Sequence, residues 1–227
     1  MTIRASAYIM SLVNEGASKG AMSFYLLRHH KVPGWKALST MVFLGLLEIY
    51  QLLVFASVGL VLHFTAVEQA SSVLPLDTIL PVVYLAAAIY LPIHIAYFRG
   101  WLLKRWSLRD IPLFHVFRTA RIRHYLLTAL LKAPNLLGAV VVYTIALGLF
   151  QVEVGLGEML AFLPLIFLAA ALPLPLHAGA LLLWTVLFPD YPEVGAFSLV
   201  MHTFFVLFNA TIGLLFLPRA NRELWGD

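Results

Sequence analysis

The sequence contains no cysteine and few charged residues. Of its 227 residues, 11% are charged and 62% are hydrophobic, whereas soluble domains average about 25% charged and about 45–50% apolar residues. Without cysteine there can be no disulfides, thiolate nucleophiles or Cys-ligated metal sites. The shortage of charge excludes a soluble globular protein, because a core of this size cannot bury so much apolar surface. The sequence therefore predicts an all-α, polytopic membrane protein.

Four apolar stretches are long enough to cross a membrane. A spanning helix needs about 20 mostly apolar residues, and charged residues, Gly or Pro bound each of these stretches. We predict transmembrane helices at Ala37–Leu62, Val73–Phe98, Leu126–Leu149 and Ala196–Leu217.

Two further apolar stretches are interrupted. Ala5–Leu27 is broken by the polar run at 14–20, and Met159–Phe188 by two prolines, a histidine and a glycine within 173–179. Each leaves two arms of roughly 8 to 15 residues, which is typical of re-entrant segments. A surface helix for the first stretch and two short tilted spans for the second are the alternatives.

Charge divides the connections into two sets. Glu68–Asp77, Glu153–Glu158 and Asp190–Glu193 contain six acids and no Lys or Arg, whereas the other connections carry essentially all 15 basic residues. The positive-inside rule places the basic set and the C-terminus in the cytoplasm. The two broken segments then enter from opposite faces as re-entrant helical hairpins. We expect a bacterial or archaeal cytoplasmic membrane.

An internal repeat is the third organising feature. An offset of 159 residues superposes the two broken segments and the spans that follow them, and Lys31 falls on Asp190. Five identities support it: Gly20 with Gly179, Ala21 with Ala180, Pro33 with Pro192, Ala37 with Ala196, and Ser39 with Ser198. Matching elements with opposite loop charge indicate an inverted repeat. The predicted single domain, 1–227, contains repeat 1 (about 5–62, lacking its leading span), a connecting part (73–125) and repeat 2 (about 126–218).

Two motif regions surround the interruptions. The first comprises Asn-Glu-Gly-Ala-Ser-Lys-Gly at 14–20, Tyr-Leu-Leu-Arg at 25–28, Val-Pro at 32–33 and Gly-Leu-Leu-Glu at 45–48. The second is Leu-Pro-Leu-Pro-Leu-His-Ala-Gly at 172–179, followed by Ala196–Leu217. Together they resemble the lysylphosphatidylglycerol synthase transmembrane, or flippase-like, family. The resemblance covers most of the chain and implies movement of a lipid or lipid-linked headgroup between leaflets.

Polar side chains within the membrane segments are the candidate substrate site, because such residues are costly there. Glu48, the acid predicted at mid-span, shares a helix face with Gln51 and is the candidate proton-coupling group. His177 lies in the second interruption. Packing by hydrogen bonds between helices is the alternative role. The predicted substrate-binding residues are Asn14, Glu15, Lys19, Glu48, Gln51, His177, His202 and Asn209.

Seven cations lie between residues 99 and 123, interleaved with aromatic residues. A basic, aromatic stretch beside two spans fits the anionic inner leaflet better than nucleic acid. The residues predicted to contact lipid headgroups are Arg99, Lys104, Arg105, Arg118, Arg121 and Arg123. The expected partners are membrane lipids, with anionic phospholipid foremost, and a homo-oligomer or larger membrane complex stays open. We expect no cofactor and no metal.

The sequence predicts a lipid or lipid-linked headgroup translocase rather than an enzyme, since it lacks the Ser-x-x-Lys, Gly-x-Ser-x-Gly and His-Glu-x-x-His patterns. One alternative is a non-catalytic scaffold or assembly subunit that binds lipid. The other is a haem-binding membrane cytochrome, because the chain has eight histidines and axial ligation needs two at similar depth.

Overall fold

The computed structural model describes residues 15–65, 68, 76–103, 107–170 and 178–225. This part of the chain is helical apart from short connections, which confirms the predicted all-α fold. Two 3-10 turns, Ser107–Asp110 and Pro112–Phe114, precede the fourth of its α-helices. The α-helices are α1 (Glu15–His30), α2 (Gly34–Leu62), α3 (Leu76–Phe98), α4 (His115–Thr119), α5 (Ile122–Leu149), α6 (Leu156–Ala170), α7 (Ala178–Leu187) and α8 (Glu193–Trp225).

Four of these helices, α2, α3, α5 and α8, are long and apolar enough to cross a membrane. Their number and positions agree with the four predicted spans. Three of the helices extend beyond the predicted bounds, since α2 begins at Gly34, α5 begins at Ile122 rather than Leu126, and α8 continues past Leu217 to Trp225. Residues 73–75 of the second predicted span lie outside the described residues. Hydropathy leaves charged residues out of a span, but helical hydrogen bonding continues through them because Arg and Glu are good helix formers.

Contacts group the chain into two compact units. The first comprises residues 1–45, 103–120 and 201–227. In this unit α4 packs on the beginning of α2, where the Ser39 hydroxyl accepts a hydrogen bond from the Val116 N–H at 3.0 Å. The ring of Phe117, which is 2% exposed, packs edge-on against Phe43. The paired hydroxyl and the buried ring thus fix the short helix on α2.

The second unit comprises residues 46–102 and 121–200. Here α2 and α6 approach closely, because a Cβ atom added at Gly59 would lie only 2.5 Å from the Cα of Ala161. On α7, Trp184 is 4% exposed and stacks on Tyr143 of α5, with 5.7 Å between ring centroids. Small residues and interlocked aromatic rings therefore form the core of this unit.

Helices α6 and α7 are 15 and 10 residues long, the lengths predicted for the arms of the second broken segment. They pack against each other, and Phe162 near the middle of α6 meets Phe188 just after the end of α7, with 5.2 Å between ring centroids. The predicted interruption itself, at 171–177, lies outside the described residues.

The first broken segment differs from its prediction. Helix α1 is continuous from Glu15, so residues 15–20 continue a helix where an interruption was expected. Glu, Ala and Lys have high helix propensity, so this polar run can continue a helix. Residues 5–14, the predicted first arm, lie outside the described residues.

Candidate functional site

A pair of oppositely charged side chains joins two spanning helices of the second unit. Glu48 lies on α2, fourteen residues from either end, and Lys132 lies on α5, ten residues after its start. Nζ of Lys132 donates a hydrogen bond to Oε2 of Glu48 at 2.7 Å. With a rise of about 1.5 Å per residue, these positions are about 21 Å and about 15 Å from the starts of their helices. The two charges therefore meet well inside both helices and not at their ends.

A second polar contact links the same helices about one turn away. Nε2 of Gln51 donates a hydrogen bond to the backbone carbonyl of Ala129 at 3.1 Å. Gln51 is three residues from Glu48, and Ala129 is three residues from Lys132, so both contacts lie along one seam. Gln51 is 7% exposed, and its side chain is directed to the backbone of α5. The seam thus consists of a buried amide and a more exposed ion pair.

The protein does not enclose the ion pair. The side chain of Glu48 is 57% exposed and that of Lys132 is 33% exposed. A single charge at the centre of a membrane helix costs about 2.5–3.5 kcal/mol on insertion scales. Pairing leaves no net charge, which reduces this cost, while the exposed carboxylate can still be approached from beside the helices. The arrangement is a neutral charge pair with one open side.

Two neighbours on α5 add polar groups beside the pair. Asn135 is exposed and lies three residues after Lys132, on the same helix face. Pro134 lies inside α5 and has no N–H, so it donates no helical hydrogen bond to the carbonyl of Leu130. The site therefore offers hydrogen-bond donors and acceptors within two long apolar helices.

Aromatic side chains with polar atoms form a row that links α2, α3 and α5 in the second unit. Tyr50, two residues after Glu48, stacks on Tyr90 of α3 with 5.7 Å between ring centroids. His94 continues the row, 5.9 Å from Tyr90 and 6.1 Å from Tyr125 of α5 by ring centroids. The row runs from Tyr50 on α2 to Tyr125 in the first turn of α5.

The other predicted substrate-binding residues lie elsewhere. His202 and Asn209 are half-buried on α8 in the first unit. Glu15 and Lys19 belong to α1, and Asn14 and His177 lie outside the described residues. Their roles in binding stay predictions.

The basic residues predicted to contact lipid headgroups are in three situations. Three are exposed at the end of α3 and the start of α5: Arg99, Arg121 and Arg123. Arg118 donates a hydrogen bond to Asp110 at 3.0 Å, so a carboxylate already offsets its charge. Lys104 and Arg105 lie outside the described residues. The exposed arginines are the ones that can face a membrane surface.

Lys132 and Asn135 are site residues that the sequence interpretation missed. It assigned essentially all basic residues to the connections, which was wrong for Lys132 because this lysine lies inside α5. A signal was present, since Lys-Ala-Pro-Asn at 132–135 interrupts an otherwise apolar run. Its pairing with Glu48 depends on how α2 packs on α5, which no local pattern specifies.

In the ranges that the structure describes, no group of three or more His, Asp or Glu residues could hold a metal ion. Comparison of the chain with known family models, curated proteins and solved structures finds no match. The interpretation of the site therefore depends on its own geometry.

Proposed function

We propose that this chain is a multi-pass membrane protein that moves the polar headgroup of a lipid or lipid-linked amphiphile between leaflets. The Glu48–Lys132 pair, midway along α2, about a third of the way along α5 and open on one side, is the observation that carries the proposal. Charged groups within the membrane are rare and mark substrate or ion pathways. The headgroup contacts the pair in passing, while the acyl tails stay in the surrounding lipid.

The open side of the pair supports a lipid substrate over a small soluble one. A lipid enters laterally, so its site needs a polar surface that faces hydrocarbon. Glu48 and Asn135 are both exposed at that depth. A protein that only had to span the membrane would have apolar side chains at these positions, because paired charges are often no more stabilising than well-packed apolar groups.

The directions of the helices support the proposed topology. At one end of the second unit, the ring of His63, just after α2, lies against Gly157 at the start of α6, beside Glu158 of the acidic connection after α5. At the other end, His94 meets Tyr125, beside the exposed arginines. We assign the basic end to the cytoplasm by the positive-inside rule. The short arms α6 and α7, which pack against each other, are then a re-entrant hairpin from the outer face.

The counterpart of this hairpin in an inverted repeat is the segment that contains α1. Discontinuous helices paired across such a repeat form the substrate site of many transporters. The resemblance to the flippase-like family supports the same function. The chain contains no nucleotide-binding motif, so transport is downhill or coupled to an ion.

A scaffold subunit is the second candidate. In the most apolar 18-residue stretch of each helix, only 6% is buried in α3 and in α8, against 33% in α2. Such exposed helices offer wide surfaces to lipid or to other membrane proteins. In a scaffold, the ion pair would only hold α2 and α5 together, and removing it would change stability but no transport activity.

A leaflet-exchange assay separates the two candidates. The purified protein is reconstituted into vesicles that contain fluorescent phospholipids labelled on an acyl chain, and quenching of the outer leaflet reports exchange. A translocase makes exchange faster than in empty vesicles, and Glu48→Gln and Lys132→Gln slow exchange of the lipid that the wild type moves fastest. Ser57→Ala and Thr144→Val are matched controls, because these hydroxyls bond only to carbonyls of their own helices, α2 and α5. Equal exchange with and without protein rejects the translocase.

A further inference from the structure

We infer that the headgroup handled by the Glu48–Lys132 pair is zwitterionic, carrying one phosphate and one amine or quaternary ammonium. This inference rests on the proposed function and names its substrate class. It follows from the charge of the site, which consists of one cation and one anion in direct contact at 2.7 Å.

The charge balance favours a ligand with no net charge. A zwitterion can open the pair so that its phosphate contacts Lys132 and its ammonium contacts Glu48, and each charge then has a partner. The total charge stays zero before and after binding. An anionic headgroup would leave an excess negative charge within the hydrocarbon, where uncompensated charge is strongly disfavoured.

The neighbouring groups are placed for the same division of roles. On the α5 side, the exposed amide of Asn135 lies one turn from Lys132 and can donate a hydrogen bond to a phosphate oxygen. On the α2 side, the carboxylate of Glu48 is the more exposed member of the pair and can accept hydrogen bonds from an ammonium group. Phosphate recognition thus falls to α5 and ammonium recognition to α2.

This inference differs from the expectation of an anionic phospholipid partner. That expectation came from the arginines at the ends of α3 and α5, which lie at the predicted membrane surface. The surface arginines and the mid-span pair can therefore select different lipids, since the first is a cluster of one sign and the second is neutral.

The test compares headgroup preference across variants of defined charge. Exchange is measured in phosphatidylcholine vesicles with acyl-labelled phosphatidylethanolamine, phosphatidylglycerol or a trimethylammonium lipid. The wild type is expected to move the ethanolamine lipid at least tenfold faster than the glycerol lipid. Glu48→Gln leaves a net positive site and should reverse this preference, whereas Lys132→Gln leaves a net negative site and should favour the trimethylammonium lipid. Thr144→Val should keep the wild-type order.

Native mass spectrometry of lipids retained from mixed ethanolamine and glycerol nanodiscs gives a second readout. The wild type should retain mainly the zwitterionic lipid and Glu48→Gln mainly the anionic one. Exchange without this charge-dependent order would overturn the zwitterionic headgroup preference but not the translocase function. Selective retention without exchange would overturn the translocase function but not the headgroup-binding site. Neither exchange nor selective retention would overturn both.

Discussion

Replacing Gly59 with alanine tests the close packing of α2 on α6. The added Cβ would lie 2.5 Å from Cα and 2.6 Å from N of Ala161, and 2.7 Å from the carbonyl oxygen of Leu160. Ordinary carbon contacts are at about 3.5–4.0 Å, so the two helix backbones must separate by about 1 Å. The neighbouring residues of α6 leave no slack, since Met159, Ala161 and Leu163 are all 0% exposed.

The expected cost can be worked out from these contacts. Overpacking a well-filled core costs about 1–3 kcal/mol, and the gain from replacing a helical glycine by alanine is about 0.5–1 kcal/mol. Because the obstructing atoms are backbone, the clash cannot be relieved by a rotamer change. Gly59→Ala should therefore lower the free energy of unfolding by about 1–2 kcal/mol, measured in mixed micelles by circular dichroism during denaturant titration.

Two other glycines serve as graded controls. Gly138 of α5 has no atom within 4 Å of an added Cβ, so Gly138→Ala should be neutral or slightly stabilising. At Gly157 the added Cβ would meet the imidazole of His63, a side chain that can rotate away, so Gly157→Ala should cost less than Gly59→Ala. Equal stability of Gly59→Ala and Gly138→Ala would refute the proposed close approach.

Two predictions concern polar contacts in the first unit. Ser39→Ala removes the acceptor for the Val116 N–H at a position that is 0% exposed and should lower the free energy of unfolding by about 1–3 kcal/mol. The control Thr40→Ala, at an exposed hydroxyl, should lower it by less than about 0.5 kcal/mol. Equal losses would contradict the stabilising role of the Ser39–Val116 hydrogen bond. Burial, followed by the hydrogen bond and charge of Glu223, raises the pKa of Tyr25 above its usual 10.0, so the folded state holds the phenolic proton more tightly than the unfolded state. Stability from this contact should therefore be complete below pH 10 and fall as pH rises above it, and unfolding titrations should show a weaker fall in Tyr25→Phe.

Composition and hydropathy were sufficient to predict the helical class and the four spanning helices. A run such as Leu126–Leu149 can be identified from its length and its average hydropathy, because lipid requires mostly apolar side chains along a span. The lengths of the arms α6 and α7 could also be predicted from the sequence, since the prolines and the histidine between them mark where an apolar run stops.

The candidate site was only half predictable. Glu48 stood out as an isolated acid within an apolar stretch, but its partner comes from a helix 84 positions away. Lys132 lies within the predicted span Leu126–Leu149, but the positive-inside rule counts basic residues of the connections and gave it no role. Gln51 was correctly placed on the face of Glu48, yet its contact with the Ala129 carbonyl depends on packing. Local patterns report the polarity of a position, and tertiary packing decides which polar groups meet.

The central claim is that Glu48 and Lys132 act together as a charge pair in headgroup transfer. Exchanging the two charges, in the double variant Glu48→Lys/Lys132→Glu, tests this claim most directly, because the exchange keeps an ion pair with no net charge. Each single variant, Glu48→Lys or Lys132→Glu, instead places two like charges together. Lipid exchange in reconstituted vesicles should be lost in both single variants and restored, at least in part, in the double variant, with all four proteins folded by circular dichroism. Wild-type exchange in either single variant, or a folded double variant without exchange, would contradict the claim.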